Sequence, residues 1–235
     1  MMYGDNQASK ECLSMRSRKT SSSELPEKFF AENKDQIVRY SRRVKMYDVE
    51  TQLMNWVLGK KRRRKLFEEA TGRLLEVGVG TGANIAFYPS SNLEMIAIDV
   101  TPAMLTIAQK RVDRMQVPID LLVMDVMQLD FPDNYFDRIV GSCVFCSISD
   151  PIRGFCELGR VLKPSGEIRL LEHMRPDFPF MAWLFDRMDP MMYRMAGFHV
   201  ARQTLMNIQN AGLKIKSDQR GVWGIFHYLE ITKGT

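Results

Sequence analysis

Leu74–Pro89 reads LLEVGVGTGANIAFYP, and three glycines in it stand two apart, at Gly78, Gly80 and Gly82. An apolar run gives way to glycines like these where a strand ends and backbone must approach a ligand closely. The segment GVGTGA fits G-x-G-x-x-G/A, the dinucleotide pattern, as readily as it fits other cofactors. A tight turn with no ligand would use the same residues. The loop marks a strand end, and its neighbours must name the occupant.

Outward from the loop, short apolar runs alternate with amphipathic ones. RLLEVG reads as a first strand, the stretch after Gly82 as a helix, LEMIAID as a second strand and PAMLTIAQKRVDRM as its helix. IDLLVMD and FDRIVGSCV follow as strands three and four, PIRGFCELGRVL as a helix and EIRLLEH as strand five. A helix in ARQTLMNIQNAG and strands around Leu213–Ser217 and Trp223–Thr232 close the chain. Strands and helices alternating over short joins predict an α/β domain with a doubly wound, mainly parallel sheet. Ahead of it, Val38–Ala70 has helical spacing, with Val49, Leu53, Trp56 and Val57 in step, then six consecutive basic residues: Lys60, Lys61, Arg62, Arg63, Arg64 and Lys65. Residues 1–35 are polar and predict a disordered or loosely attached tail. The domain is then 36–235, with 36–70 a helical lid.

A chain of 235 residues, 45% apolar, suits one sizeable domain and is short for two. Its charge of +5 fits either plain solvation or an anionic partner. Cys12, Cys143, Cys146 and Cys156 show no disulfide-framework spacing and read as reduced thiols of a cytoplasmic protein. Cys143 and Cys146 form C-x-x-C, but zinc would need two more ligands and a redox pair would need a helix start, so we expect crevice or core residues and no metal. No stretch approaches the roughly 20 apolar residues of a spanning helix, and the start lacks an apolar signal core. Membrane contact, if there is any, is expected to be peripheral, on an inner face.

The acids single out the cofactor. Glu76 stands two residues before the first glycine, Asp99 ends strand two and Asp125 ends strand three. A carboxylate after strand two can accept ribose hydroxyls, and ligands of such sheets sit beyond the carboxyl ends of the strands. Each acid alone is ambiguous, since strand-end acids also cap helices. With EVGVGTG, Asp99, Asp125 and RVLKPSGEI together, the chain resembles the class I S-adenosylmethionine-dependent methyltransferases over about residues 46–232. The resemblance implies a Rossmann-like seven-stranded sheet with an antiparallel last strand and S-adenosyl-L-methionine over the glycine loop. It places the ribose at Asp99 beside Val100 and the adenine amine at Asp125 beside Val126. Glu76 and the backbone around Gly78 would face the methionine moiety, with Cys143 bordering the crevice. Tyr47, in KMYD, matches a lid position of similar enzymes and is a candidate catalytic residue; a packed aromatic on the entry helix would look the same.

Methyl transfer asks the protein mainly for alignment and water exclusion. His173, after strand five in LLEHM, is the best-placed base by its ordinary pKa, although a strand-end histidine also serves to bond a loop; His199 and His227 are weaker candidates. In similar enzymes the stretch after strand five shapes the acceptor site. Here residues 174–200 hold Met174, Met181, Met188, Met191, Met192 and Met195 with Phe178, Phe180, Trp183 and Phe185. That composition suits a lipophilic acceptor, and it equally suits a helix covering the sheet. The run Lys60–Lys65 is a solvated face or an anchor for anionic membrane.

Within the superfamily the chain looks most like the bacterial phosphatidylethanolamine N-methyltransferase branch, through LEVGVGTGANIAFYP, DPIRGFCELGRVLKPSGEI and Glu172-His173. It also resembles the membrane-associated alkyl thiol methyltransferases, through GTGANIAFYP, CSI and LEHM, and more distantly the ubiquinone/menaquinone C-methyltransferases. The expected acceptor is a phospholipid amine at a membrane surface, with a small thiol or quinone in solution as the alternative. Contiguous bases without interleaved aromatics argue against nucleic acid. A cofactor-binding protein without catalysis would carry the same marks, and nothing signals an oligomeric state.

Overall fold

The computed structural model describes residues 27–58, 60–89, 93–221 and 224–234, without the side chains of 27, 28, 30, 45, 46 and 48–58. Two helices come first, α1 (Glu27–Leu58) and α2 (Lys60–Phe67). Next are β1 (Arg73–Val77), β2 (Glu94–Asp99), α3 (Pro102–Met115), β3 (Asp120–Val123) and β4 (Phe136–Ser142). The chain continues through α4 (Pro151–Val161), β5 (Leu162–His173), α5 (Pro179–Ala196), α6 (Thr204–Asn210), β6 (Leu213–Gly221) and β7 (Phe226–Lys233).

The strands form one seven-stranded sheet in the order β3-β2-β1-β4-β5-β7-β6. β1 to β5 run parallel, and β7 is antiparallel to both β5 and β6. Alternation along β1 shows how both faces are buried. Leu75 and Val77 join Ile98, Phe155 and Leu158 on one face. Leu74 joins Leu66, Phe67 and Val140 on the other. The order reverses between β1 and β4, which opens a crevice at their carboxyl ends.

Several boundaries differ from the sequence reading, β6 for instance running to Gly221, and three of them carry a physical reason or a consequence. Residues 27–35, expected in the tail, are helical; Asn33, the residue shown buried there, docks by a hydrogen bond to Asp125, which apolar spacing does not reveal. After Gly82 there is no α-helix, only a short 3-10 turn at Ile85–Phe87. Pro89 follows within a few residues and holds Tyr88 extended, at φ −64° and ψ 139°, so no helix can grow there. No helix dipole therefore stands behind the glycine loop, contrary to the usual strand–loop–helix arrangement. Strand five begins at Leu162, five residues before the expected Glu167. Residues 1–26 of the expected tail, the side chains of Val49, Leu53, Trp56 and Val57, and Trp223 lie outside the described residues.

Candidate functional site

A cleft opens where the parallel strands end. Its walls include Gly78 and Gly80 after β1, Asp99 and Val100 at the end of β2, Asp125 and Val126 after β3, and Cys143 and Val144 after β4. The glycines are required on two counts. All three take positive φ, at 62° for Gly78, 55° for Gly80 and 86° for Gly82. A Cβ on Gly78 would also lie 2.7 Å from Val144 Cγ2, and one on Gly80 would lie 3.3 Å from the Tyr47 ring. Asp99 locks the loop to β2: its Oδ2 accepts from the Gly80 N–H at 2.9 Å and its Oδ1 from the Thr101 N–H at 2.8 Å. Burial pushes the Asp99 carboxyl above its ordinary range, against those two donors.

α1 covers this cleft. Asn33, Gln36, Tyr40 and Tyr47 recur at helical spacing, and Gln36, Tyr40 and Tyr47 line the cavity. Asn33 is buried and donates to Asp125 Oδ2 at 2.9 Å, while the Met127 N–H holds Asp125 Oδ1 at 2.8 Å. Tyr40 and Ser147 share a hydrogen bond, and the Tyr40 and Tyr47 rings meet edge to face. Burial raises both phenols far above their ordinary pKa, so each keeps its proton. Among the expected site residues, Tyr47, Gly78, Gly80, Asp99, Val100, Asp125, Val126 and Cys143 thus meet at one cavity. Sequence reading missed Asn33, Gln36 and Tyr40, whose polar and aromatic stripe resembles an ordinary solvated helix.

Glu76, Gly82 and His173 are not part of the lining. Glu76 is fully buried, and its two oxygens accept from Asn84 Nδ2 at 2.7 Å and from the Tyr88 hydroxyl. Arg63 Nη1 completes the chain by donating to Asn84 Oδ1 at 2.6 Å. Burial lifts the Glu76 carboxyl to about 7. A glutamate so engaged braces the loop from behind. Gly82 is held by packing, since a Cβ there would run into Ile85.

His173 sits between the rings of Phe198 and Phe226. Burial lowers its pKa to about 4, so the imidazole is neutral near pH 7 and a weak base. Its folded pKa lies below the ordinary value near 6.5, so unfolded chains take up a proton that folded ones exclude. This contribution is intact above about pH 6.5 and lost as pH falls toward 4. A His173→Phe variant is therefore expected to lose about 2 kcal/mol less stability than wild type between pH 7 and pH 5. Denaturant titrations at both pH values check this, and equal losses would place the histidine in a solvated setting.

Cys143 adopts positive φ, 54°, and its thiol is pushed up to about 12 by burial and by nearby Glu172. Cys143 and Cys146 are free, with Cys146 Sγ donating to the Cys143 carbonyl at 3.4 Å. Among the described residues no group of three or more His, Cys, Asp or Glu could hold a metal. The basic run also divides. Arg63 is buried, Arg62 packs on Gly221, and Lys65 donates to Gln219 Oε1 at 2.8 Å beneath the Tyr228 ring. Of the six, Lys60, Lys61 and Arg64 are exposed.

The cleft matches the needs of S-adenosylmethionine: a carboxylate at the end of β2, another acid after β3, and a loop whose glycines leave room where a Cβ would collide. Residues 75–170 match the family described as Methyltransferase domain. Phosphatidylethanolamine N-methyltransferase of Cereibacter sphaeroides is 37% identical over 108 residues, 45% of this chain and 53% of that one. Demethylmenaquinone methyltransferase of Renibacterium salmoninarum is 32% identical over 141 residues, 57% of each chain. A thiol S-methyltransferase of Rattus norvegicus is 30% identical over 143 residues, 59% of this chain and 58% of that one. The chain thus spans between half and two thirds of the length of these relatives. Among solved structures, a SAM-dependent methyltransferase from Aquifex aeolicus superposes with a TM-score of 0.60 at 18% identity, over 81% of this chain and 97% of that one. The [4+2]-cyclase SpnF does so at 0.63 and 20%, over 83% and 96%, so the fold by itself does not dictate the reaction. By sheet order, cleft and family match together, the chain carries a class I S-adenosylmethionine-dependent methyltransferase domain.

Proposed function

We propose that the protein methylates a lipophilic acceptor at a membrane surface, with the amine of phosphatidylethanolamine as the leading acceptor. The observation that carries the methyl-donor half is the meeting of Gly78, Gly80, Asp99 and Asp125 in one cleft. Asp99 would hold the ribose, Asp125 the adenine amine, and the backbone at Gly78–Gly80 the methionine end. When bound, S-adenosylmethionine supplies a methyl group on an electron-poor sulfonium. The chain's own part is alignment and exclusion of water. α1 closes over the cavity, Tyr40 and Tyr47 stay protonated there, and Asn33 fixes the orientation of Asp125.

Among the described residues lining the cleft none is a ready base: two are carboxylates held by backbone, two are tyrosines with raised pKa, and Cys143 is a reluctant thiol. This favours an acceptor that presents its own lone pair, such as a deprotonated amine or a thiolate, over one needing a proton removed from carbon. The amine is preferred because the first relative acts on phosphatidylethanolamine and because α5 exposes large apolar side chains. Among the described residues no helix is long and apolar enough to cross a membrane, so the contact proposed is with its surface.

Purified protein supplied with methyl-labelled S-adenosylmethionine is expected to label phosphatidylethanolamine in mixed vesicles. Label confined to a soluble thiol or to a demethylquinone would keep the methyltransferase and discard the phospholipid. Cofactor binding with no label in any acceptor would leave a binding protein without this catalysis.

A further inference from the structure

Resting on that membrane reading, we infer that the outward face of α5 is the element that docks on an anionic lipid bilayer. The helix has 18 residues, of which only Ala182 and Ala196 are buried. At about 100° per residue, Phe180, Trp183, Arg187, Met191, Arg194 and Met195 share an arc of roughly 120° turned away from those alanines. Phe180 is 62% exposed, Trp183 57%, Met191 53% and Met195 71%, and Phe178 just before the helix is 63% exposed. So many large apolar side chains in water on one short element mark an interaction surface.

The charges say what covers it. No acid lies on the arc: Asp186 is off it and paired with Arg175, and Asp189 points inward to His199. Arg187 and Arg194 have no acidic partner among the described residues. Aromatic rings and flexible methionines suit the interfacial depth of a bilayer, while long guanidinium side chains reach phosphates. A second copy fits less well, because a two-fold interface would set this arc, with its arginines, against itself.

The basic end of α2 belongs to the same edge of the molecule. Asp177, two residues before α5, pairs with Arg220, and the neighbouring Gly221 lies against the Arg62 guanidinium. Lys60, Lys61 and Arg64, on the same helix as Arg62, are exposed. α5 is in turn fastened to the cleft cover: Arg39 donates to the Tyr193 and Arg194 carbonyls at 3.1 and 2.8 Å, and Arg43 to the Ala196 carbonyl at 2.6 Å. Docking by α5 therefore sets the seam between cover and insertion against lipid.

The test uses the full chain, vesicles of phosphatidylethanolamine with phosphatidylglycerol, and vesicles of phosphatidylcholine. Phe180→Ser with Trp183→Ser is expected to lower partition onto the anionic vesicles at least tenfold, with S-adenosylmethionine affinity in calorimetry unchanged. Unchanged partition overturns the assignment, as does partition abolished by Lys60→Gln, Lys61→Gln and Arg64→Gln but indifferent to the α5 pair. Sedimentation showing a dimer that the α5 pair dissolves, with no vesicle binding, hands the face to a second copy and also overturns it. Label in detergent-dispersed phospholipid without vesicle partition defeats the docking face alone. Partition without label in any lipid upholds the docking face and defeats the acceptor.

Discussion

Asp99→Ala is expected to weaken S-adenosylmethionine binding by about 1–3 kcal/mol, roughly 5- to 150-fold, while the domain stays folded. Three losses combine. The carboxylate that faces the cleft is gone, the Gly80 N–H loses its acceptor at 2.9 Å, and the Thr101 N–H loses its acceptor at 2.8 Å. The second matters most for geometry, because Gly80 sits at positive φ beneath Tyr47 and Asp99 is what ties it to β2. Asp99→Asn keeps one oxygen and should fall between wild type and Ala. Calorimetric affinity unchanged in the Ala variant would remove Asp99 from the binding site, and an equal loss in both variants would trace the effect to charge alone.

Asp99 was legible because two independent signals met on it. An apolar run fixed the strand end, and the PAMLTIAQKRVDRM pattern fixed the helix that follows, so the acid could only stand at the carboxyl edge. The same logic recovered the parallel strands and α3 and α4, where sequence period and burial agree. Glu76 shows where such logic stops. Its place at the end of β1 was readable, but its partners Asn84 and Tyr88 lie in a stretch expected to be a regular helix, and the 3-10 turn with extended Tyr88 that brings them to it was not. Pro89 was the available warning. The cover was hidden for another reason: Asn33, Gln36 and Tyr40 make a polar face, and hydrophobic periodicity cannot detect a helix that docks through hydrogen bonds. Arg63 belongs to the same class, since a run of six charges gives no hint that one reaches Asn84 through the protein interior.

Glu172→Leu is expected to destabilise the fold by about 2–4 kcal/mol, on the order of 5–15 °C in melting temperature for a chain this long. Glu172 is wholly buried, and its Oε1 accepts from the N–H groups of Val144 at 2.8 Å and Phe145 at 3.3 Å. These donors belong to the loop that carries Cys143 through positive φ and along the cleft wall, so cofactor binding should weaken with stability. Glu172→Gln separates the hydrogen bonds from the charge. It keeps the accepting oxygen, and it removes a carboxyl that burial lifts to about 7. Because the folded pKa exceeds the ordinary one near 4.3, the folded protein holds a proton that unfolded chains release. The carboxyl's contribution is intact below about pH 4.3 and lost as pH rises through 7. The Gln variant lacks that slope, so it should gain about 2–3 kcal/mol on wild type between pH 5 and pH 8. Denaturant titrations at the two pH values decide. A gain confirms a carboxyl kept by the fold for its oxygen, whereas wild type gaining on Gln as pH rises would mean that the loop requires the ionised form.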